Sequence, residues 1–309
     1  MKDFRRPGKS GGARLAAAAA LTAAALLAGT TTAAGAVQLP SPPHSVALAA
    51  ASTPAVEGVL NFREVGGLAT RNGGRIRTGV LYRSAALYGA TDAGVASLAA
   101  LRVGKVIDFR SEKEAVAGQD RLPAGTTAVS YPVVANEQID SIDTVLRMTA
   151  AEQQELLGDG RAKAMMLRSS REFVSDPAKR AQFARALHDI AYAPRSSATL
   201  VHCTGGRDRT GWMAAVVQRI LGASKEDVFA EYLRSNDELA AWKAAMIGRL
   251  EAGGMQDPHL LDAFLDVDAD YLGAAFDEAV RQYGSFPAFV RHGLGADDAT
   301  LARLRARLL

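Results

Sequence analysis

One cysteine in 309 residues excludes an internal disulfide, so the fold of this chain must rest on packing. The five histidines show no metal-ligand spacing, and no motif calls for a metal or an organic cofactor. A nucleotide-binding P-loop is excluded as well. Gly206 and Gly211 have the Walker spacing, but Trp212-Met213 stands where that motif needs Lys followed by Ser or Thr. No internal repeat and no second domain are visible in the pattern.

A surplus of basic charge is also missing once the N-terminus is set aside. Residues 1–36 hold Lys2, Arg5, Arg6, Lys9 and Arg14 against Asp3, then an Ala/Leu stretch from Leu15 and the small-residue triplet Ala34-Gly35-Ala36. That is the layout of a secretory signal peptide, which predicts a secreted protein with no stable membrane anchor after cleavage. No lipobox cysteine is present, and Pro7-Gly8 after Arg5-Arg6 departs from the twin-arginine pattern. The leader carries a net +4 of the chain's formal +3, so the remainder is near −1. A pI near 9.0 therefore gives no case for a nucleic-acid surface. Residues 37–56, with Pro40, Pro42, Pro43 and Pro54, read as a disordered linker, and residues 57–309 as one α/β domain.

What is there is concentrated in ten residues, His202-Cys203-Thr204-Gly205-Gly206-Arg207-Asp208-Arg209-Thr210-Gly211. The apolar run Ala198-Thr199-Leu200-Val201 before them reads as a buried strand, and residues 212–221 after them as a helix. A turn between a strand end and a helix start aims successive amides inward and adds the helix dipole, which makes a cradle for a phosphate dianion. Thr204, Gly205, Gly206 and Arg207 form that cradle, the glycines allowing the backbone its close approach. Arg209 grips two phosphate oxygens with its planar fork. The same field favours the thiolate of Cys203, making it a nucleophile toward phosphorus. Thr210 is placed to hydrogen-bond the thiolate when it departs from a phosphocysteine intermediate. His202 orients the loop, since a thiolate needs no base.

The other apolar runs, at residues 79–82, 105–109 and 128–133, alternate with helical patterns and predict a mostly parallel sheet flanked by helices. Ligands sit beyond the carboxyl ends of such strands, which places Asp108 and Arg110 at the same edge as the Cys203 loop. A leaving oxygen needs a proton donor. Asp208 comes first, because it lies on the loop itself; Asp108 comes second, with pairing to Arg110 as its alternative role. Ser175-Asp176-Pro177 reads as a helix cap instead. Arg63 and Arg83 are candidates to reach the substrate phosphate or to brace the loop.

Beyond the loop, Asn61-Phe62-Arg63-Glu64-Val65-Gly66-Gly67, Leu81-Tyr82-Arg83-Ser84-Ala85-Ala86-Leu87 and Val106-Ile107-Asp108-Phe109-Arg110-Ser111 resemble motifs of the atypical bacterial protein tyrosine phosphatases. Tyr271-Leu272-Gly273-Ala274-Ala275-Phe276 and Arg281-Gln282-Tyr283-Gly284-Ser285 resemble that family's C-terminal helices. The resemblance covers residues 57–309 and implies a cysteine phosphatase fold, with Asp208 as general acid and a two-helix lid over residues 236–264. It implies a phosphotyrosine protein as substrate, with phosphoserine, phosphothreonine or a phosphoinositide as further ones. It departs at Arg207, where the family usually has lysine; Lys-Asp-Arg there goes with phosphoinositide activity, and arginine keeps the charge. A catalytically silent phosphate-binding module is disfavoured because Cys203, Arg209 and Thr210 are all present. A sulfurtransferase is disfavoured because that chemistry does not call for the arginine-threonine-glycine sequence. Nothing in the sequence specifies an oligomeric state.

Overall fold

The computed structural model describes residues 55–134 and 142–309, so the leader and nearly all of the linker assigned above lie outside the described residues. A five-stranded sheet runs in the order β1-β2-β5-β3-β4, with β1 Arg63–Glu64, β2 Leu81–Ser84, β3 Val103–Asp108, β4 Thr127–Ser130 and β5 Ala198–His202. Only the β1–β2 pairing is antiparallel. The four longer strands are those read from the sequence, shifted by a few residues. Strand β1 is two residues long and carries no apolar run, which is why periodicity does not reveal it.

Strand alternation divides the core. Leu81, Ile107 and Val201 face one cluster, while Tyr82, Val106 and Leu200 face the other, as a period of two requires. Strand β5 is buried along all five residues because it lies between β2 and β3 with helices over both faces. A third apolar cluster, including Val145, Leu157, Leu250, Leu261 and Leu265, forms apart from the sheet. It joins helix Ala240–Ala252 to the short helical turns Pro258–Leu261 and Asp262–Leu265.

The helix after the loop spans Asp208–Ile220, starting four residues earlier than the apolar pattern suggests. Its N-cap, Arg207, makes no side-chain cap bond, so the first-turn amides are not claimed by a capping oxygen. Trp212 turns into the core instead of toward a ligand, edge-on to Phe276 at 5.1 Å between ring centroids. Gly206 has φ +65°, and a Cβ there would lie 2.3 Å from the Ser84 carbonyl carbon. Only glycine lets the loop pass that close to the end of β2. Asp176 is a helix cap, accepting from the Ala178 and Lys179 amides at 2.7 and 3.0 Å. Among the described residues no helix is long and apolar enough to cross a membrane.

Candidate active site

The loop Cys203–Arg207 joins β5 to helix Asp208–Ile220 and, with the first turn of that helix, floors a cavity of about 560 Å³. Its carbonyls are held from behind. The Asn61 amide donates to the Gly205 and Gly206 carbonyls, both at 3.0 Å, and Arg83 Nη2 donates to the Gly206 carbonyl at 2.7 Å. The Ala86 amide donates to the Thr204 carbonyl at 3.1 Å. Fixing carbonyls on the outer side of a turn directs its amides to the inner side, where an anion binds.

Arg63 and Arg83 are fully buried in that bracing layer, and neither lines the cavity. Of the two roles considered for them, reaching the substrate phosphate or bracing the loop, their contacts fit the bracing one. Their shared partner is Glu231 on helix Lys225–Glu238, which accepts from Arg63 Nε at 2.6 Å and from Arg83 Nη1 at 2.7 Å. Burial by itself would raise the Glu231 carboxyl, but the two guanidinium groups hold it below its ordinary range. Burial and the neighbouring Arg83 in turn bring Arg63 down to about 10 against the pull of Glu231. A buried carboxylate with two fixed cations is costly to break, which makes the brace rigid.

Cys203, Thr204, Gly205, Arg207, Asp208 and Arg209 all line the cavity. Gly206 is buried against Ser84, where its positive φ shapes the turn that carries the loop amides. Thr210 is fully buried behind the loop, and its hydroxyl has no hydrogen-bond partner among the described residues. Arg207 Nη2 donates to the Phe264 carbonyl at 2.6 Å, and its guanidinium lies 5.7 Å from the Trp242 ring centroid. The loop is thereby tied to the helical segment that roofs the cavity. Asn236 and Val267 close that segment with reciprocal bonds of 2.9 and 2.8 Å.

Asp108, the second candidate for proton donor, takes its alternative role of pairing with Arg110. It lies outside the cavity and accepts from the Arg110 amide at 2.8 Å and from Arg110 Nε and Nη2 at 3.0 and 2.9 Å. Arg110 also donates to Asp120 at 2.6 Å, and His202 Nε2 lies 3.2 Å from Asp120. Asp108, Asp120 and His202 are close enough together to hold a cation, but Arg110 already occupies both carboxylates as their shared ion-pair partner.

Glu114 is a site residue that the sequence patterns do not single out. It lines the cavity beside Arg209, accepting from Nη1 at 2.8 Å and from Nη2 at 2.7 Å, and also accepts from the Thr204 hydroxyl. Burial would raise its carboxyl, but Arg209 and Thr204 bring it down to about 2. Glu114 therefore orients Arg209 as a permanent carboxylate. Asp208 goes the other way: burial raises its carboxyl despite Arg207 and Arg209. Two carboxyls in one cavity are thus pushed in opposite directions by their surroundings, Glu114 toward the permanent carboxylate and Asp208 toward the neutral acid. The sequence held one signal for Glu114, the capping box Ser111-x-x-Glu114 just past β3. None distinguished Glu231.

A family model described as "Tyrosine phosphatase family" matches residues 54–309. A curated relative, the triple specificity protein phosphatase PtpB of Mycobacterium tuberculosis, is 29% identical over 273 residues, covering 82% of this chain and 97% of its own. A Cupriavidus necator protein provisionally named as a tyrosine-protein phosphatase is 30% identical over 249 residues, 80% of this chain and 86% of its own. The crystal structure of P. aeruginosa TpbA aligns over 65% of this chain and 88% of that one, at 21% identity and a TM-score of 0.29. That score is too low to carry any argument.

Proposed function

This chain belongs to the tyrosine phosphatase family, and from that premise we propose that it is an exported phosphatase acting on phosphotyrosine through a phosphocysteine intermediate. The observation that supports the reading best is the cavity itself. Cys203 and Arg209 lie at its floor, and Tyr88, Phe173, Trp242 and Phe264 wall it, as an aryl phosphate requires.

In the first displacement the Cys203 thiolate attacks phosphorus, the bond from phosphorus to the phenol oxygen breaks, and Asp208 gives its proton to that oxygen. In the second a water attacks, Asp208 takes a proton back, and the sulfur–phosphorus bond breaks. The buried Thr210 hydroxyl then has a partner, the returning thiolate. Inward amides and Arg209 hold the equatorial oxygens in both steps. No step calls for a metal.

Asp208→Asn tests the proton donor. We expect kcat/KM for phosphotyrosine peptides to fall roughly 10²-fold or more, while an aryl phosphate with a very acidic phenol is slowed far less. The alkaline limb of the pH profile should flatten. Asp108→Asn should slow both substrates alike. Leaving-group dependence appearing with Asp108→Asn and not with Asp208→Asn would exchange the two roles.

Export rests on the leader, and the proposed division is a signal peptide over residues 1–36, a linker over 37–56 and the phosphatase domain over 57–309. Full-length protein expressed in an exporting bacterium should be recovered from outside the cytoplasm with residue 37 as its N-terminus. Recovery of uncleaved chain in the membrane fraction would sink that assignment.

A further inference from the structure

Helix Lys225–Glu238 places two adjacent side chains against the loop, and the bracing by Glu231 accounts for only one of them. The next residue, Tyr232, is 2% exposed, and its hydroxyl donates to Asp208 Oδ1 at 3.5 Å. Its ring lies across Gly211, where a Cβ would come within 2.7 Å of the ring carbons Cδ2 and Cε2. The glycine closing the loop motif is thus explained by Tyr232: a side chain at position 211 would push the phenol away from Asp208.

We propose that Tyr232 is the positioning residue of the general acid, holding the Asp208 carboxyl toward the Cys203 loop and stabilising the charge Asp208 acquires as it gives up its proton. The inference rests on Asp208 being the proton donor. The proton that moves is the one on the Asp208 carboxyl. It passes to the leaving oxygen, while the phenol keeps its hydrogen and donates more strongly to the carboxylate left behind. A bond of 3.5 Å is at the long limit for the neutral acid, and catalytic hydrogen bonds of this kind tighten when charge develops.

The surroundings suit that task. Asp208 is faced by Arg207 and Arg209 from its own loop, by Tyr232 from helix Lys225–Glu238 and by Tyr271 from helix Ala269–Tyr283. Arg83 from β2 acts on Tyr232. Burial, then the Asp208 charge, pushes the Tyr232 phenol well above its ordinary range, so it remains a donor throughout the working pH range. Tyr271 is likewise pushed up to about 12, by burial first. A bond from Tyr232 favours the Asp208 carboxylate and opposes the effect of burial.

The test uses the full chain with Tyr232→Phe, which keeps the ring over Gly211, and with 3-fluorotyrosine placed at 232, which makes the phenol a stronger donor. Tyr232→Phe should lower kcat/KM roughly tenfold for substrates with a basic leaving phenol and much less for an acidic one. It should also move the alkaline limb to higher pH, because the carboxylate has lost a donor. Fluorotyrosine should move that limb to lower pH. A purely structural role predicts an equal loss for both substrates and an unmoved limb in either variant, and that result would overturn the proposal. If Asp208→Asn keeps its leaving-group dependence while both Tyr232 variants behave as wild type, Tyr232 is dismissed and Asp208 stands. If Asp208→Asn shows no such dependence, the assignment of the acid fails first.

Discussion

Cys203→Ser is expected to lower turnover by about 10⁴-fold or more while leaving affinity for a phosphotyrosine peptide within about tenfold of wild type. The separation follows from the structure. The groups that brace the loop from behind, Asn61, Arg83, the Ala86 amide and the close passage of Gly206 over Ser84, do not involve the sulfur. The cradle therefore survives the substitution and still presents its amides and Arg209 to phosphate. A serine hydroxyl lacks the thiolate's charge, and His202 does not stand ready to activate it, since its ring faces Asp108 and Asp120. Steady-state rates set beside calorimetric binding of the same peptide decide the matter. Turnover close to wild type would remove the covalent mechanism; loss of both turnover and binding would show that Cys203 shapes the cradle.

The second large effect is expected from Arg209→Lys, which should reduce kcat/KM roughly 10²- to 10³-fold although the charge is kept. Arg209 has more to do than attract phosphate. Its Nη1 donates to the Phe109 and Val133 carbonyls at 3.2 and 3.1 Å, and both terminal nitrogens donate to Glu114. That engages both terminal nitrogens of the fork with protein acceptors and fixes the orientation of the guanidinium plane. Burial works against the guanidinium charge, but Glu114 and Cys203 outweigh it and hold Arg209 above its ordinary range. A lysine ammonium offers three donors from one point and cannot bind Glu114 bidentately while also gripping two phosphate oxygens. Kinetics with a phosphotyrosine peptide measure the loss, with the folding of the Arg209→Lys variant checked by thermal melt. A variant within about fivefold of wild type would mean that charge alone suffices at this position.

The residues proposed to carry the chemistry were legible along the chain because a phosphate loop is local. Strand end, glycine turn and helix start follow one another within ten residues, so Cys203, Arg207, Asp208 and Arg209 reach the same cavity whatever the rest of the fold does. The mostly parallel sheet was legible for a similar reason, since short apolar runs separated by helical patterns leave few other arrangements. Glu114 stands 95 residues before Arg209, and Glu231 is one acid among several on an amphipathic helix. Neither has a local pattern that names its partner.

Asp108 shows the limit most sharply. Its position at a strand end beside the Cys203 loop is what parallel pairing predicts, and Asp108 is indeed the register partner of His202. Register partners point to the same face, and Cys203 is one residue beyond His202, so strand alternation turns Asp108 with His202 toward Asp120 and Arg110 and away from the sulfur. A similar choice of side separates Arg63 and Arg83, which brace the loop from behind, from Arg207 and Arg209, which face the cavity. The sequence alone determined which groups gather at the carboxyl edge of the sheet. Only the tertiary structure decided which of them face the cavity, because facing depends on register and on the partner each buried charge finds, and both are set by strands and helices far apart in the chain.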